Sequence, residues 1–198
     1  MTNTKNDFPL VDTDIWVFLI MSGFYKRVIK NNGYLFFADV VEKEIMKWKS
    51  NKNKFEEIAS RFKELKKQGK LSVIYFDEFD YLEKQSINHQ LSEYGLKNVG
   101  FAEKNKGEFV SLLYGLHKSI NRFKTNDRKF LTEIEDNIQN EIEIINWDIV
   151  LDKYSVSLKE KSEIKKVIFN QEIEMSKQQK KYKAENQDPR WEKLKLLI

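Results

Sequence analysis

A chain of 198 residues, 40% hydrophobic, 33% charged and 13% aromatic, can bury one sizeable core but hardly two, and it is too rich in Phe and Tyr for wholesale disorder. Its formal net charge of +4 is compatible with a nucleic-acid partner without requiring one. The lack of cysteine excludes disulfides and thiolate metal sites, and two histidines without close spacing, His89 and His117, argue against zinc, so any metal here is a hard cation held by oxygen.

The opening MTNTKNDFPLVDTD has neither a basic start followed by an apolar stretch nor a small-residue cleavage site. The longest apolar run, Ile15 to Met21, falls far short of the roughly 20 residues that a membrane span needs. A soluble, cytoplasmic protein with no membrane partner is expected. Pro9 to Val11 reads as a short buried strand, and Ile15 to Met21 as a helix. A basic segment around Lys26, Arg27 and Lys30 leads to the turn signal Asn31-Asn32-Gly33.

Tyr34 to Phe37 is an aromatic strand, after which Val40, Val41, Glu44, Ile45 and Trp48 recur at helical spacing. Phe55, Ile58, Phe62 and Leu65 mark a second amphipathic helix, ending at Gly69 with lysines in its last turn. Leu71 to Phe76 is a strand rich in Val, Ile and aromatics. Asp77 is placed to cap a following helix with Phe79, Leu82, Ile87 and Leu91 on one side, stopped by Gly95. Gly107 opens a helix to about Lys118, Ile120 to Thr125 is a short strand, and Phe130, Leu131, Ile134 and Ile138 mark one more helix. Ile142 to Val150 is predicted as the final strand. Strands alternating with helices predict an α/β domain with a central, mostly parallel sheet flanked by helices.

Beyond Asp152 the composition changes, and Ser157 with Glu160 forms a capping box that opens a charged helix. Two parts follow: a domain over residues 1–152 and a helical C-terminal extension over 153–198. The extension is expected to pack on its own domain, with homodimerisation and nucleic-acid binding as its other uses.

In open α/β sheets ligands bind beyond the carboxyl ends of the strands. Asp12 directly follows the first strand, and Asp127 lies just past the one ending at Thr125. Glu44 sits on or beside an apolar helix stripe, where a lone carboxylate costs desolvation, with Glu42 as its rival. Glu108 sits in the first turn of its helix, where the dipole favours an anion and where a Glu is also ordinary capping chemistry. Four carboxylates that converge repel one another unless cations screen them, and Mg²⁺ or Mn²⁺ suits such a set. Cations so held lower the pKa of water and stabilise charge on a phosphoryl oxygen. Asp148, near the end of the expected last strand, is a weaker candidate. The lysines from Lys63 to Lys70 and from Lys177 to Lys183 read as solvated helix faces, with guidance of a phosphate backbone as the alternative.

The series VDTDIW, VVEKEI, NKGEFVSLLYGL and KTNDRKF resembles the ordered acidic motifs of PIN domains across about residues 8 to 150. The resemblance implies a PIN-like fold and a metal-dependent ribonuclease, commonly the toxin of a toxin-antitoxin pair, with RNA as substrate and a small antitoxin as partner. It aligns Asp12, Glu44, Glu108 and Asp127 with the four catalytic and metal-holding acids. Asp14, Thr125 and Asn126 fall at supporting positions that adjust the metal shell. Departures are the long stretch between Glu44 and Glu108, Glu rather than Asp as third acid, and the tail. The rival readings are a structure-specific DNA nuclease and a PIN-like binding or scaffold module without activity.

Overall fold

The computed structural model describes residues 9–48, 55–101, 103, 106–125, 130 and 141–185, with side chains of the last helix described to 177. In chain order the elements are β1 (Leu10–Val11), α1 (Thr13–Met21), α2 (Tyr25–Asn32), β2 (Leu35–Ala38), α3 (Asp39–Lys47), α4 (Glu56–Lys67) and β3 (Leu71–Ile74), then α5 (Tyr81–Glu93), α6 (Lys106–His117), β4 (Arg122–Lys124), β5 (Glu143–Ile145), α7 (Trp147–Tyr154) and α8 (Leu158–Glu185). The five strands form one sheet in the order β3-β2-β1-β4-β5, with every pairing parallel. The domain is therefore α/β. By contacts the chain divides into two compact units, Met1–Ser155 and Val156–Ile198. No helix among the described residues is long and apolar enough to cross a membrane.

A parallel sheet needs cover on both faces, and the register shows how these residues provide it. Leu10 lies opposite both Phe36 and Phe123, so these three share a face, while Val11, Lys124 and Phe37 alternate onto the other. On the Phe37 side, Trp16 of α1 meets Phe37 and Phe62 of α4 edge-on at 5.5 Å each, and its indole N–H donates to the Ile58 carbonyl at 3.1 Å. On the Phe123 side, Phe130 bridges Phe123 and Phe109 of α6.

Several elements depart from the sequence expectation. The basic segment before Gly33 is helical, with the Arg27 guanidinium 4.8 Å from the Phe24 ring centroid and Gly33 at φ 76° ending the helix. Asp80, not Asp77, caps α5, in a reciprocal capping box with Glu83, because residues Phe76–Glu78 form a 3₁₀ turn first. The expected strand from Ile142 to Val150 is a three-residue strand followed by a helix. Asn146 caps that helix by accepting the Ile149 N–H at 3.0 Å, and Trp147, Val150, Leu151 and Tyr154 are buried at spacings of three, four and seven. The helix expected around Ile134 lies outside the described residues. At the start of α8, Ser157 accepts the Glu160 N–H at 3.1 Å, and the Glu160 carboxylate reaches the Val156 N–H at 2.7 Å, one residue earlier than a standard box.

Trp16 fastens the helix that follows β1 to the sheet. Trp16→Ala is expected to cost about 3–5 kcal/mol of stability in urea unfolding, as for large core truncations. Trp16→Phe keeps most of the packing but loses the indole N–H bond to the Ile58 carbonyl, and its cost should fall between wild type and Trp16→Ala.

Candidate active site

The order β3-β2-β1-β4-β5 makes the gap between β1 and β4 the switch point, where chain connections diverge to opposite sides and where parallel sheets bind ligands. Val11 lies opposite Lys124, so the residues leaving these strands, Asp12 and Thr125, come out side by side. The Asp12 N–H donates to the Lys124 carbonyl at 2.9 Å, and the Thr125 hydroxyl donates to the Asp12 carboxylate at 3.3 Å. Asp12 is the N-cap residue of α1, with Trp16 N–H bonded to its carbonyl at 3.1 Å. It is only 2% exposed.

Glu44 arrives from α3, half-buried, and its carboxylate accepts the Thr13 hydroxyl at 2.7 Å. It lies against the first turn of α6 because Gly107 has no side chain. A Cβ there would stand 3.4 Å and 3.5 Å from the two Glu44 carboxylate oxygens. Partial positive charge at this helix start favours the carboxylate. Glu108 is the next residue of the same turn and is also half-buried.

These neighbours set the electrostatics of Asp12. Burial pushes its carboxyl well above the ordinary value, and Glu108, Asp14 and, more weakly, Glu44 push it further up against a lowering hydrogen bond from the Thr13 backbone. Among the described residues the charged groups that act on this buried acid are thus carboxylates. The oxygen set of Asp12, Glu44 and Glu108, steadied by Thr13 and Thr125, is the donor chemistry that hard divalent cations take. Among the described residues no three His, Cys, Asp or Glu side chains already stand at the spacing of a bound ion.

The structure brings Asp12, Glu44, Glu108, Asp14 and Thr125 into one neighbourhood, with Asp14 on the exposed side of the first turn of α1. Asn126 and Asp127 lie outside the described residues. Asp148 stands exposed in the first turn of α7 rather than at a strand end, because the helix begins at Trp147. His117 sits edge-on to Phe79 and His89 is exposed. Sequence reasoning did not single out Thr13 or the space left by Gly107. The signals were present, as a hydroxyl directly after the first acid and a glycine directly before the third.

No family model, curated protein or solved structure matches this chain.

Because the folded-state pKa of Asp12 is raised, the folded chain holds this proton more tightly than the unfolded chain. Its contribution to ion-free stability therefore falls as pH rises from the ordinary Asp value of 3.8 through the raised one. In EDTA at neutral pH, Asp12→Asn should raise the Tm, by roughly 2–4 °C for each kcal/mol of repulsion relieved. Mn²⁺ should raise the Tm of the wild type and not of the variant. A gap between wild type and variant that closed with rising pH would contradict this sign.

Proposed function

We propose that this chain is a PIN-like, divalent-cation-dependent endoribonuclease. The observation that carries the reading is the buried Asp12 carboxylate at the β1–β4 switch point, facing Glu44 and Glu108 from two helices. The all-parallel five-strand sheet supports the PIN-like fold, and the motif resemblance supports RNA as the substrate. Asp12, Glu44 and Glu108, with Asp127 as the fourth acid, would hold Mg²⁺ or Mn²⁺. When bound, such a cation makes water a better nucleophile and stabilises charge on the phosphoryl oxygens. The chain's own work is orientation. Thr125 fixes one oxygen of Asp12, Thr13 fixes one oxygen of Glu44, and Gly107 keeps Glu44 against the start of α6. Among the described residues the charged groups acting on Asp12 are carboxylates, and a polyanionic substrate would meet repulsion from them until cations are taken up. In the toxin reading, the partner is a small antitoxin over the acidic groove, and a small adjacent open reading frame is its genetic sign.

Single-stranded RNA incubated with Mn²⁺ should be cut internally, and EDTA should stop the reaction. Asp12→Asn, Glu44→Gln, Glu108→Gln and Asp127→Asn should each lower kcat/KM by about a hundredfold or more, since each removes several kcal/mol of charge organisation. Single-stranded DNA and flap substrates in the same assay decide between RNA and DNA. Full RNA cleavage by Asp12→Asn would sink the site assignment.

Thr13 touches Glu44 rather than substrate, so its effect should appear in cation affinity. Thr13→Val should raise the Mn²⁺ concentration for half-maximal rate by roughly 10- to 100-fold, the usual effect of losing a partner that orients a ligand. Thr13→Ser should restore it.

A further inference from the structure

Two residues before Glu108, the first turn of α6 carries a lysine with a different task. Lys106 is 3% exposed, and its ammonium donates to the backbone carbonyls of Asn98 and of Phe101, the latter at 2.9 Å. A cation buried this far must be hydrogen-bonded, and here it is spent on ordering a loop. That loop is fastened elsewhere too. Leu96 N–H donates to the Leu91 carbonyl at 2.9 Å, Val99 N–H to the Asn88 side-chain oxygen at 3.1 Å, and Phe101 N–H to the Asn98 carbonyl at 3.0 Å, while Val99 is buried beneath.

On this fixed backbone the Phe101 ring is 61% exposed. A lone exposed aromatic is unremarkable on a protein surface. This one differs because its backbone is tied by a buried ammonium to the helical turn that carries Glu108 and receives Glu44. Lys97 and Asn98 beside it are exposed, and Asn98 lines a groove of about 620 Å³ with Leu82, Gln85, Ser86, Asn88 and His89 of α5. An exposed ring, a cation for phosphate and a mainly apolar groove edged by amide, hydroxyl and imidazole groups are parts that single-stranded nucleic acid can use for stacking and backbone contact. Duplex cannot use the ring, since its bases are already stacked.

We infer that the 96–101 loop is a platform for single-stranded RNA, on which Phe101 stacks a base of the strand being cut and Lys97 meets its backbone. This rests on the nuclease reading of the acidic site and assigns that site a substrate surface. Phe101 is a positioning residue.

The test is fluorescence anisotropy of a short labelled single-stranded RNA with Mg²⁺, in an Asp12→Asn background. Adding Phe101→Ala should weaken binding by roughly tenfold to a hundredfold, the loss of one stacked base. Phe101→Trp should retain binding and show quenching of its emission by the RNA. Ile149→Ala, an exposed apolar change on α7, should leave RNA binding unchanged. Binding by Phe101→Ala equal to that of its parent overturns the platform and leaves the surface to a protein partner. So does a parent that binds no single-stranded RNA. Cleavage by the otherwise wild-type chain is measured separately with Mn²⁺. RNA cut normally with no Phe101 effect on binding rejects the platform and spares the nuclease, whereas Phe101-dependent binding without any cleavage does the reverse.

Discussion

Two residues, Leu10 and Val11, hold the sheet together at its centre. Each is almost fully buried, and between them they pair with β2 on one side and β4 on the other. A strand this short contributes few hydrogen bonds, so its position depends on cover from both faces rather than on its own ladder. Trp16 and Phe62 supply that cover on the Phe37 side. Once β1 is fixed, the two-residue alternation of strands places Asp12 and Thr125 on the face of Leu10 and Phe123, and Lys124 on the opposite face. The acid then faces α6, where Gly107 and Glu108 begin the helix.

Lys124 shows the consequence on the other face. It is buried, with its ammonium 5.9 Å from the Tyr154 ring centroid, and burial, reinforced by nearby Lys153, lowers its pKa to about 8. Its carbonyl meanwhile receives the Asp12 N–H. One residue thus carries its charge to one side of the sheet and holds the buried carboxylate in place on the other through its backbone. Buried charges that are not neutralised by a close partner cost stability, and such costs gather at functional sites, where aromatic packing elsewhere offsets them. The edge-on cluster of Trp16, Phe37 and Phe62 is the packing that stands next to the site.

The sheet and the approach of Asp12 to Thr125 were legible in the sequence because strand ends carry their own punctuation: an apolar pair before Asp12, and Phe123 before the sequence Lys-Thr-Asn-Asp. The α7 helix was not. Residues 142–150 form a short, mixed run that fits strand and helix alike, and the deciding signal, the Asn146 cap with burial continuing to Tyr154, needs the longer window. The cap of α5 was misplaced for a related reason. Asp77 and Asp80 are equally good cap residues by type, and the 3₁₀ turn that takes up Asp77 leaves the second as the cap. Thr13 escaped because its task depends on a residue 31 positions away, a distance at which local spacing says nothing.

The first turn of α6 joins these threads, because three consecutive residues there have three different tasks. Lys106 holds the 96–101 loop by two carbonyls, Gly107 leaves the space that Glu44 occupies, and Glu108 acts on Asp12. A helix turn moves as one piece, so a displacement that loosened the Lys106 bonds would also shift the wall behind Glu44 and the charge opposite Asp12. The acids and the 96–101 loop are therefore held by one and the same helix turn.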